Sequence, residues 1–466
     1  MLPSAAELVA RFLRANGYDE TLNSFIKEAG LPLDVGAASD GLVTIETVLQ
    51  EKKTFDLSLN FEKLGVVDKE RAWAVQAPTK PIVVESLPTR SNLLSVSVVN
   101  LSLPSATETR QYIAVTTASR QLHLIDPSTP TLDLVHSYSG FQDSPILDIV
   151  AIASRYLLIA SMSGKLHLHD TASDKTLDER KDHSKYLVKL ATWSSGNSVL
   201  IASAGWDAKV LLYELDISAV LPQLGEPIAT LSLPSIPETI CFVPSPEGGT
   251  PVLLMARRDS TFLYYYVLPR AGSPGFTLLG KQNLAPHSNA WVAFTPADVQ
   301  ICPTNPLLVA VATSSTPHMK LLVVKLLLPP MGALEVDAAV SPDPVESVTQ
   351  ASQARAELVV ADREEAAIFV NVSTLAPQTA YSTPRIVWRP DGSGVYVSSD
   401  DGVIRGIEAN SGRLIASLEA HEPGSKLRCL WAGHIQTNAV DGSSSPGYNE
   451  YLISGGFDQK LILWSP

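Results

Sequence analysis

The sequence predicts a mainly β fold built from repeated units and entered through a short α-helical hairpin. Two observations predict it. Beyond about residue 81, short β-rich runs alternate with turn residues and recur at a coarse spacing. Before that, the first thirty residues space their apolar side chains at helical intervals. Hydrophobic residues make up 45% of the 466 and charged residues 18%, so a sizeable core is available. A prior of roughly 100–200 residues per domain suggests about three domains, but large all-β folds break that prior.

Composition excludes several classes. Lys plus Arg is 35 and Asp plus Glu is 48, a formal charge of −13. That argues against direct nucleic-acid binding, which needs a basic footprint. It argues equally against an electrostatic anchor to anionic lipid. No apolar run reaches the roughly 20 residues of a membrane span. The longest, Leu321–Leu328, contains Lys325. The first residues carry no basic segment and include Glu7, so no secretory signal is expected. Cys241, Cys302 and Cys429 are odd in number and far apart, with no disulfide framework. A reducing compartment fits: the cytoplasm, with the nucleus also open.

Within the first thirty residues, Ser4-Ala-Ala-Glu7 forms a capping-box pattern. Leu8, Val9, Phe12 and Leu13 follow on one helix face, and Asn16-Gly17 supplies a stop. Asp19 is expected to cap a second helix bearing Leu22, Phe25, Ile26 and Ala29, ended by Gly30 and Pro32. Helices this short are marginal alone, so their apolar faces need a partner. The run Leu8-Val9-x-x-Phe12-Leu13-x-x-Asn16-Gly17-Tyr18-x-x-Thr21-Leu22-x-x-Phe25-x-x-Glu28 resembles a LisH motif. In that family the motif makes a tight four-helix dimer. The resemblance implies that Leu8, Phe12, Leu13, Tyr18, Leu22, Phe25 and Ile26 pack between or within protomers. The alternative is packing on the chain's own larger domain. Dimerisation is favoured because two apolar faces exceed what a lone hairpin covers.

Residues 31–80 read as a helical and linker segment. Thr44 is placed to cap a helix with Ile45, Val48 and Leu49, ahead of Glu51-Lys52-Lys53. Val75–Pro81 reads as a linker.

From 81 to 466, eight strand candidates follow turns: Gln121–Asp126, Lys165–Asp170, Ala208–Tyr213, Thr261–Val267, Met319–Lys325, Ala366–Val372, Val403–Glu408 and Gln459–Trp464. Their endpoints are 44, 43, 54, 58, 47, 36 and 56 residues apart. The mean lies near the roughly 40–45 residues of a WD-type propeller blade. The last copy resembles a WD repeat. His421, Ser454, Asp458 and Trp464 fall where that family has a buried hydrogen-bonded tetrad. The third copy nearly matches, with His183, Ser203, Asp207 and Tyr213. Others depart: Ser163 and His169 stand at the Asp and Trp positions in the second, and Ile407 at the Trp position in the seventh. The resemblance implies a WD-repeat-like β-propeller of seven or eight blades. The weakest candidate is Ala366–Val372, behind an inserted Pro-rich loop near 329–356. The chain stops soon after a blade's third strand, so Ile82–Leu87 is expected to supply the fourth and close the ring.

Chemical signatures are few. His167-x-His169 shares one strand face but lacks further ligands at metal spacing. Asp391-Gly-Ser-Gly394 and Asp400-Asp401-Gly402 suit tight turns better than a cation or phosphate loop. No nucleophile elbow or zinc-protease motif occurs. No catalytic residue, cofactor or metal is expected. Trp206 and Phe457 each precede a tetrad Asp, and Arg258 and Asp400 align similarly. In WD repeats this position opens on the top face, so all four are candidate docking residues. Sideways packing on neighbouring blades is an equal alternative for the two aromatics. The expected function is a non-catalytic, homodimeric adaptor for other proteins, within a motor-regulating, CTLH/GID-type ubiquitin ligase or corepressor assembly. A propeller enzyme is the reading from a different class.

Overall fold

The computed structural model describes residues 5–35, 45, 73, 75–104, 108–141, 143–269, 275–288, 293–330, 350–437 and 447–466. Two compact units are present, Met1–Ala72 and Trp73–Pro466.

The first unit holds α1 (Ala5–Ala15) and α2 (Asp19–Ala29). Gly17 turns the chain at φ 71°, and the Tyr18 amide donates back to the Leu13 carbonyl at 2.9 Å. Gly30 ends α2 in the left-handed conformation, its amide donating to the Ile26 carbonyl. Ala10, Leu22 and Ile26 form the hairpin's buried core, with Leu13, Phe25, Leu31 and Val35 packed against it. One expectation is corrected. Asp19 does not cap α2. Tyr18 holds the cap position without a side-chain bond, and Asp19 and Glu20 instead place negative charge in the first turn. Ser4, the helix expected at Thr44 apart from Ile45, and Glu51-Lys52-Lys53 lie outside the described residues.

In the second unit, the strands among the described residues form seven four-stranded antiparallel sheets, the blades. After β1 (Lys80–Val83), blade 1 holds β2 (Leu93–Leu101), β3 (Arg110–Thr117), β4 (Gln121–Ile125) and β5 (Leu134–Ser139). Blade 2 holds β6 (Ile146–Ile152), β7 (Tyr156–Ser161), β8 (Leu166–Asp170) and β9 (Lys175–Arg180). Blade 3 holds β10 (Leu187–Ser195), β11 (Ser198–Gly205), β12 (Lys209–Asp216) and β13 (Ala229–Ser232). Blade 4 holds β14 (Pro237–Val243), β15 (Val252–Arg257), β16 (Phe262–Val267) and β17 (Thr277–Asn283). Blade 5 holds β18 (Pro296–Cys302), β19 (Asn305–Thr313), β20 (His318–Lys325) and, beyond the helix α3 (Gln350–Ala366), β21 (Ile368–Pro377). Blade 6 holds β22 (Ile386–Trp388), β23 (Gly394–Val397), β24 (Val403–Glu408) and β25 (Leu414–Glu419). Blade 7 holds β26 (Leu427–Thr437), β27 (Gly447–Gly456), β28 (Leu461–Ser465) and β1.

Seven of the eight strand candidates overlap the third strands β4, β8, β12, β16, β20, β24 and β28. The exception, Ala366–Val372, is not a blade. It runs into β21, the outermost strand of blade 5, which pairs with β20 through Leu322↔Asn371 and Val323↔Val370. The insertion carrying α3 separates β20 from β21 and so mimicked an extra repeat. The ring closes through β1 and β28, but in a register earlier than expected: Pro81↔Trp464 and Ile82↔Leu463, ending at Val83. The stretch 75–81 is therefore not a free linker. The Thr79 amide donates to the Ser465 carbonyl at 2.8 Å. Pro81 is tolerated because β1 is an outermost strand, where one missing donor costs no ladder bond.

Each blade buries both faces against its neighbours. Seven apolar clusters fill the seven gaps between adjacent blades. Strands such as β7, buried at every position, consequently read as continuous apolar runs rather than alternating ones. In the gap between blades 6 and 7 lies Trp73, with Tyr396, Leu427, Ile462 and Trp464.

Candidate docking face and channel mouth

The innermost strands of the blades surround a central channel, and the turns before each third strand crown one end of it. In blade 7 that turn is fixed by a complete network. His421 Nδ1 lies 2.7 Å from Asp458 Oδ2, and Nε2 lies 2.7 Å from Ser454 Oγ. Trp464 Nε1 donates to the same Oγ at 2.8 Å. One proton assignment satisfies every member: indole to hydroxyl, hydroxyl to Nε2, and Nδ1–H to carboxylate. Burial opposes the Asp458 charge, but the His421 ring and the Glu422 and Lys460 amides together outweigh it and hold the carboxyl below its ordinary range.

Blade 3 repeats two of these three contacts. His183 Nδ1 meets Asp207 Oδ1 at 2.9 Å and Nε2 meets Ser203 Oγ at 2.8 Å. The Tyr213 hydroxyl departs, donating to Asp182 Oδ2 at 3.0 Å. In blade 2 the Ser161 and Ser163 hydroxyls pair at 2.9 Å instead. His169 is buried there beside Tyr138 and Phe141, with ring centroids 5.2 and 4.6 Å away. Burial lowers the pKa values of both His167 and His169. Asp170 is committed to Arg155 through bonds of 2.9 and 2.7 Å, which hold its carboxyl down to about 2. Among the described residues no three His, Cys, Asp or Glu side chains converge as a metal site. Asp391 accepts the Ser393 amide and hydroxyl, and Asp401 accepts the Val403 amide, so both act in turns.

The turns place Trp206, Arg258 and Phe457 at equivalent points. Their amides donate to the carbonyls of Tyr186, Ile236 and Lys426 at 2.8, 2.8 and 3.0 Å, each just before the innermost strand of the same blade. Trp206 remains 36% exposed and Phe457 40% exposed. Each ring is also braced sideways. Trp206 stacks on Tyr186 at 5.1 Å, and the Arg258 guanidinium of the next blade lies 5.5 Å from its centroid. The Arg428 guanidinium lies 4.7 Å from the Phe457 centroid. Bracing and exposure thus coexist, and a braced aromatic loses little freedom on binding. Arg258 also bonds Glu238 at 2.6 Å. Asp400 differs from the other three. It accepts the Ser382 hydroxyl at 2.5 Å and pairs with Lys426 at 3.0 Å, so its carboxylate is engaged within the fold.

An open cleft of about 610 Å³ lies beside these residues, lined by Trp206, Arg258, Thr295, Ser314, Tyr381 and Arg385. Tyr381 is 85% exposed. Val188 and Arg385 also line a smaller cavity of about 90 Å³ in the channel mouth, with Asp148, Lys189, Asp298 and Arg428. Sequence reasoning missed Tyr186, Tyr381 and this charged set. The signal was the shared position of Asp148, Lys189 and Asp298, each two residues into its innermost strand at the register shift, with Arg385 immediately before β22, and it emerges only once the blades are in register.

In the hairpin, Leu22 and Ile26 are spent on its own core, Leu13 and Phe25 flank it, and Leu8 and Phe12 are half-buried. Tyr18 is 53% exposed, with its ring 6.4 Å from that of Phe12. Ala10, fully buried, was not anticipated.

The molecule is therefore a seven-bladed β-propeller protein with an N-terminal LisH hairpin. Family models agree in both parts: a UCP007778 LisH domain matches residues 6–35, and a UCP007778 beta-propeller domain matches residues 66–430. The chain belongs to the UCP007778 family. The propeller match ends inside β26, so Ser454, Asp458 and Trp464 lie beyond it. No curated protein matches the chain. Among the described residues no helix is long and apolar enough to cross a membrane.

Proposed function

We propose that the chain is a non-catalytic scaffold that dimerises through its LisH hairpin and docks partner proteins on the propeller's turn-bearing face. The observation that carries docking is the braced, exposed pair Trp206 and Phe457 beside an open cleft. Aromatic and Arg side chains are the usual anchors of protein interfaces. The acid–base groups singled out in the sequence support this reading, since His183, His421, Asp207 and Asp458 are engaged in holding turns. A dimer presenting two propellers raises effective concentration at a bivalent target. The three free cysteines, two of them buried, fit a reducing compartment such as the cytoplasm. Docking is tested by the proteins captured on the full chain and on a folded Trp206→Ala/Phe457→Ala variant, with selective loss expected.

Dimerisation rests on the family motif and on the exposed Tyr18 beside Phe12. Sedimentation of the full chain should give twice the 50.0 kDa chain mass. Phe12→Asp should reduce it to one chain. Tyr18→Glu, which leaves the hairpin core of Ala10, Leu22 and Ile26 intact, should do the same. A parent mass of one chain, or variants that stay dimeric, would remove the LisH interface from the account.

A further inference from the structure

We propose that the channel mouth is a socket for one carboxylate side chain, an Asp or Glu of a partner segment laid across the docking face, received by Lys189, Arg385 and Arg428. The proposal deepens the docking reading and rests on it.

The mouth contains five charged side chains, and the two anions are already spent. Asp148 Oδ2 accepts the Leu190 amide at 2.8 Å, tying blade 2 to blade 3. Asp298, 1% exposed at its side chain, accepts the Ile386 amide at 3.1 Å and the Gln300 side-chain amide at 3.2 Å. Both carboxylates therefore serve as stitches between blades. Among the described residues none of the three cations donates a hydrogen bond to a carboxylate. Arg385 has its nearest carboxylate oxygen, on Asp298, at 3.8 Å, beyond hydrogen-bond range. Among the described residues Lys189 has no carboxylate within 4.0 Å. Among the described residues Arg428 donates only to the Thr383 hydroxyl, and its Nε is buried without a partner.

An unmatched guanidinium in a confined site is costly, and here the cost is visible. Burial lowers the Arg428 pKa, Asp400 partly offsets it, and the like charge of Arg385 adds to the fall. An entering carboxylate would supply the missing acceptor to all three cations. Arg also presents a fork that matches carboxylate geometry. In a chain of net charge −13, this local excess of +3 over −2 is a place where an acidic segment is welcomed rather than repelled. The cavity of about 90 Å³ suits one small group rather than a whole ligand. It adjoins the cleft carrying Trp206 and Tyr381, which suit the apolar neighbours of that acidic residue in an extended segment.

The probe is an array of fifteen-residue peptides in matched pairs that differ only in a central Glu or Gln, with phosphoserine versions alongside, applied to the purified full chain. The expected result is a set of peptides bound about tenfold or more better as Glu than as Gln, as for a hydrogen bond to a charged group. Lys189→Gln and Arg428→Gln should each abolish that preference, because neither side chain ties backbone. Arg110→Gln, an exposed cation on β3, should leave it intact. Equal binding of Glu and Gln twins, no bound Glu peptide at all, or a preference that survives both variants would overturn the socket. Preference for phosphoserine over Glu would also overturn it, by assigning phosphate to the site. The docking reading fails separately: Trp206→Ala would then leave all peptide binding unchanged, whatever the Glu preference.

Discussion

Replacing Trp73 by alanine is expected to destabilise the propeller by about 3–5 kcal/mol, the usual cost of deleting a large buried aromatic. Trp73 is 8% exposed and fills the gap between blades 6 and 7. Its indole meets Tyr396 edge-on at 5.5 Å, and the Arg389 guanidinium lies 4.6 Å from its centroid. Gly394 and Gly406 leave the space it occupies, since a Cβ on either would collide with the indole. The Trp73 ring thus packs blade 6 against blade 7 just ahead of β1, the strand that closes the ring. Because the blades form one closed circuit, loosening this gap exposes strand edges that closure otherwise removes. A lower midpoint in chemical denaturation is the readout. Gly394→Ala should lower it as well, by driving the indole out. A midpoint unchanged in Trp73→Ala would mean that Tyr396, Leu427, Ile462 and Trp464 hold this gap without the indole.

The second large effect is expected at Arg389 and Glu450. Both are buried, and Arg389 donates from Nε and Nη2 to the two carboxylate oxygens at 2.9 and 2.6 Å. It also donates to the Ser393 hydroxyl and to the Val75 carbonyl, at 3.0 and 3.2 Å. Burial disfavours the charged guanidinium, but the Glu450 pair prevails and keeps its pKa above the ordinary value. Arg389→Met should therefore cost about 3–5 kcal/mol, because it leaves the Glu450 carboxylate buried and unpaired. Arg389→Met/Glu450→Met should recover most of that loss, since a buried pair is often replaceable by apolar groups. Denaturation of the single and double variants distinguishes this from simple loss of packing. If the double variant were as unstable as the sum of both singles, pairing would not be the source of the effect.

The fold was legible because its signals are local. Gly17, Gly30 and the helical spacing of Leu8 to Ile26 mark the hairpin without tertiary help. The third strands announce themselves through turn residues that each blade must repeat. What misled was the insertion after β20. A helix of seventeen residues, Gln350–Ala366, precedes a strand that pairs backwards, so distance along the chain imitated a new blade. The His421 and His183 networks were legible because Ser203, Asp207 and Tyr213 share the spacing of Ser454, Asp458 and Trp464, with a His ahead of the innermost strand in each. The closing tie of Trp73, Arg389 and Glu450 was not, because its members lie 61 and more residues apart and follow no repeat. The channel mouth was hidden for the same reason. Lys189, Arg385 and Arg428 converge only when three innermost strands face one axis.

The central claim is that the turn-bearing face docks protein partners, and partner capture tests it most directly. Tagged full chain and the Trp206→Ala/Phe457→Ala variant, matched in thermal unfolding, are compared for the proteins they retain. The account predicts a defined set on the parent and its selective loss from the variant. An identical set on both would contradict it and move docking to α1, α2 or α3.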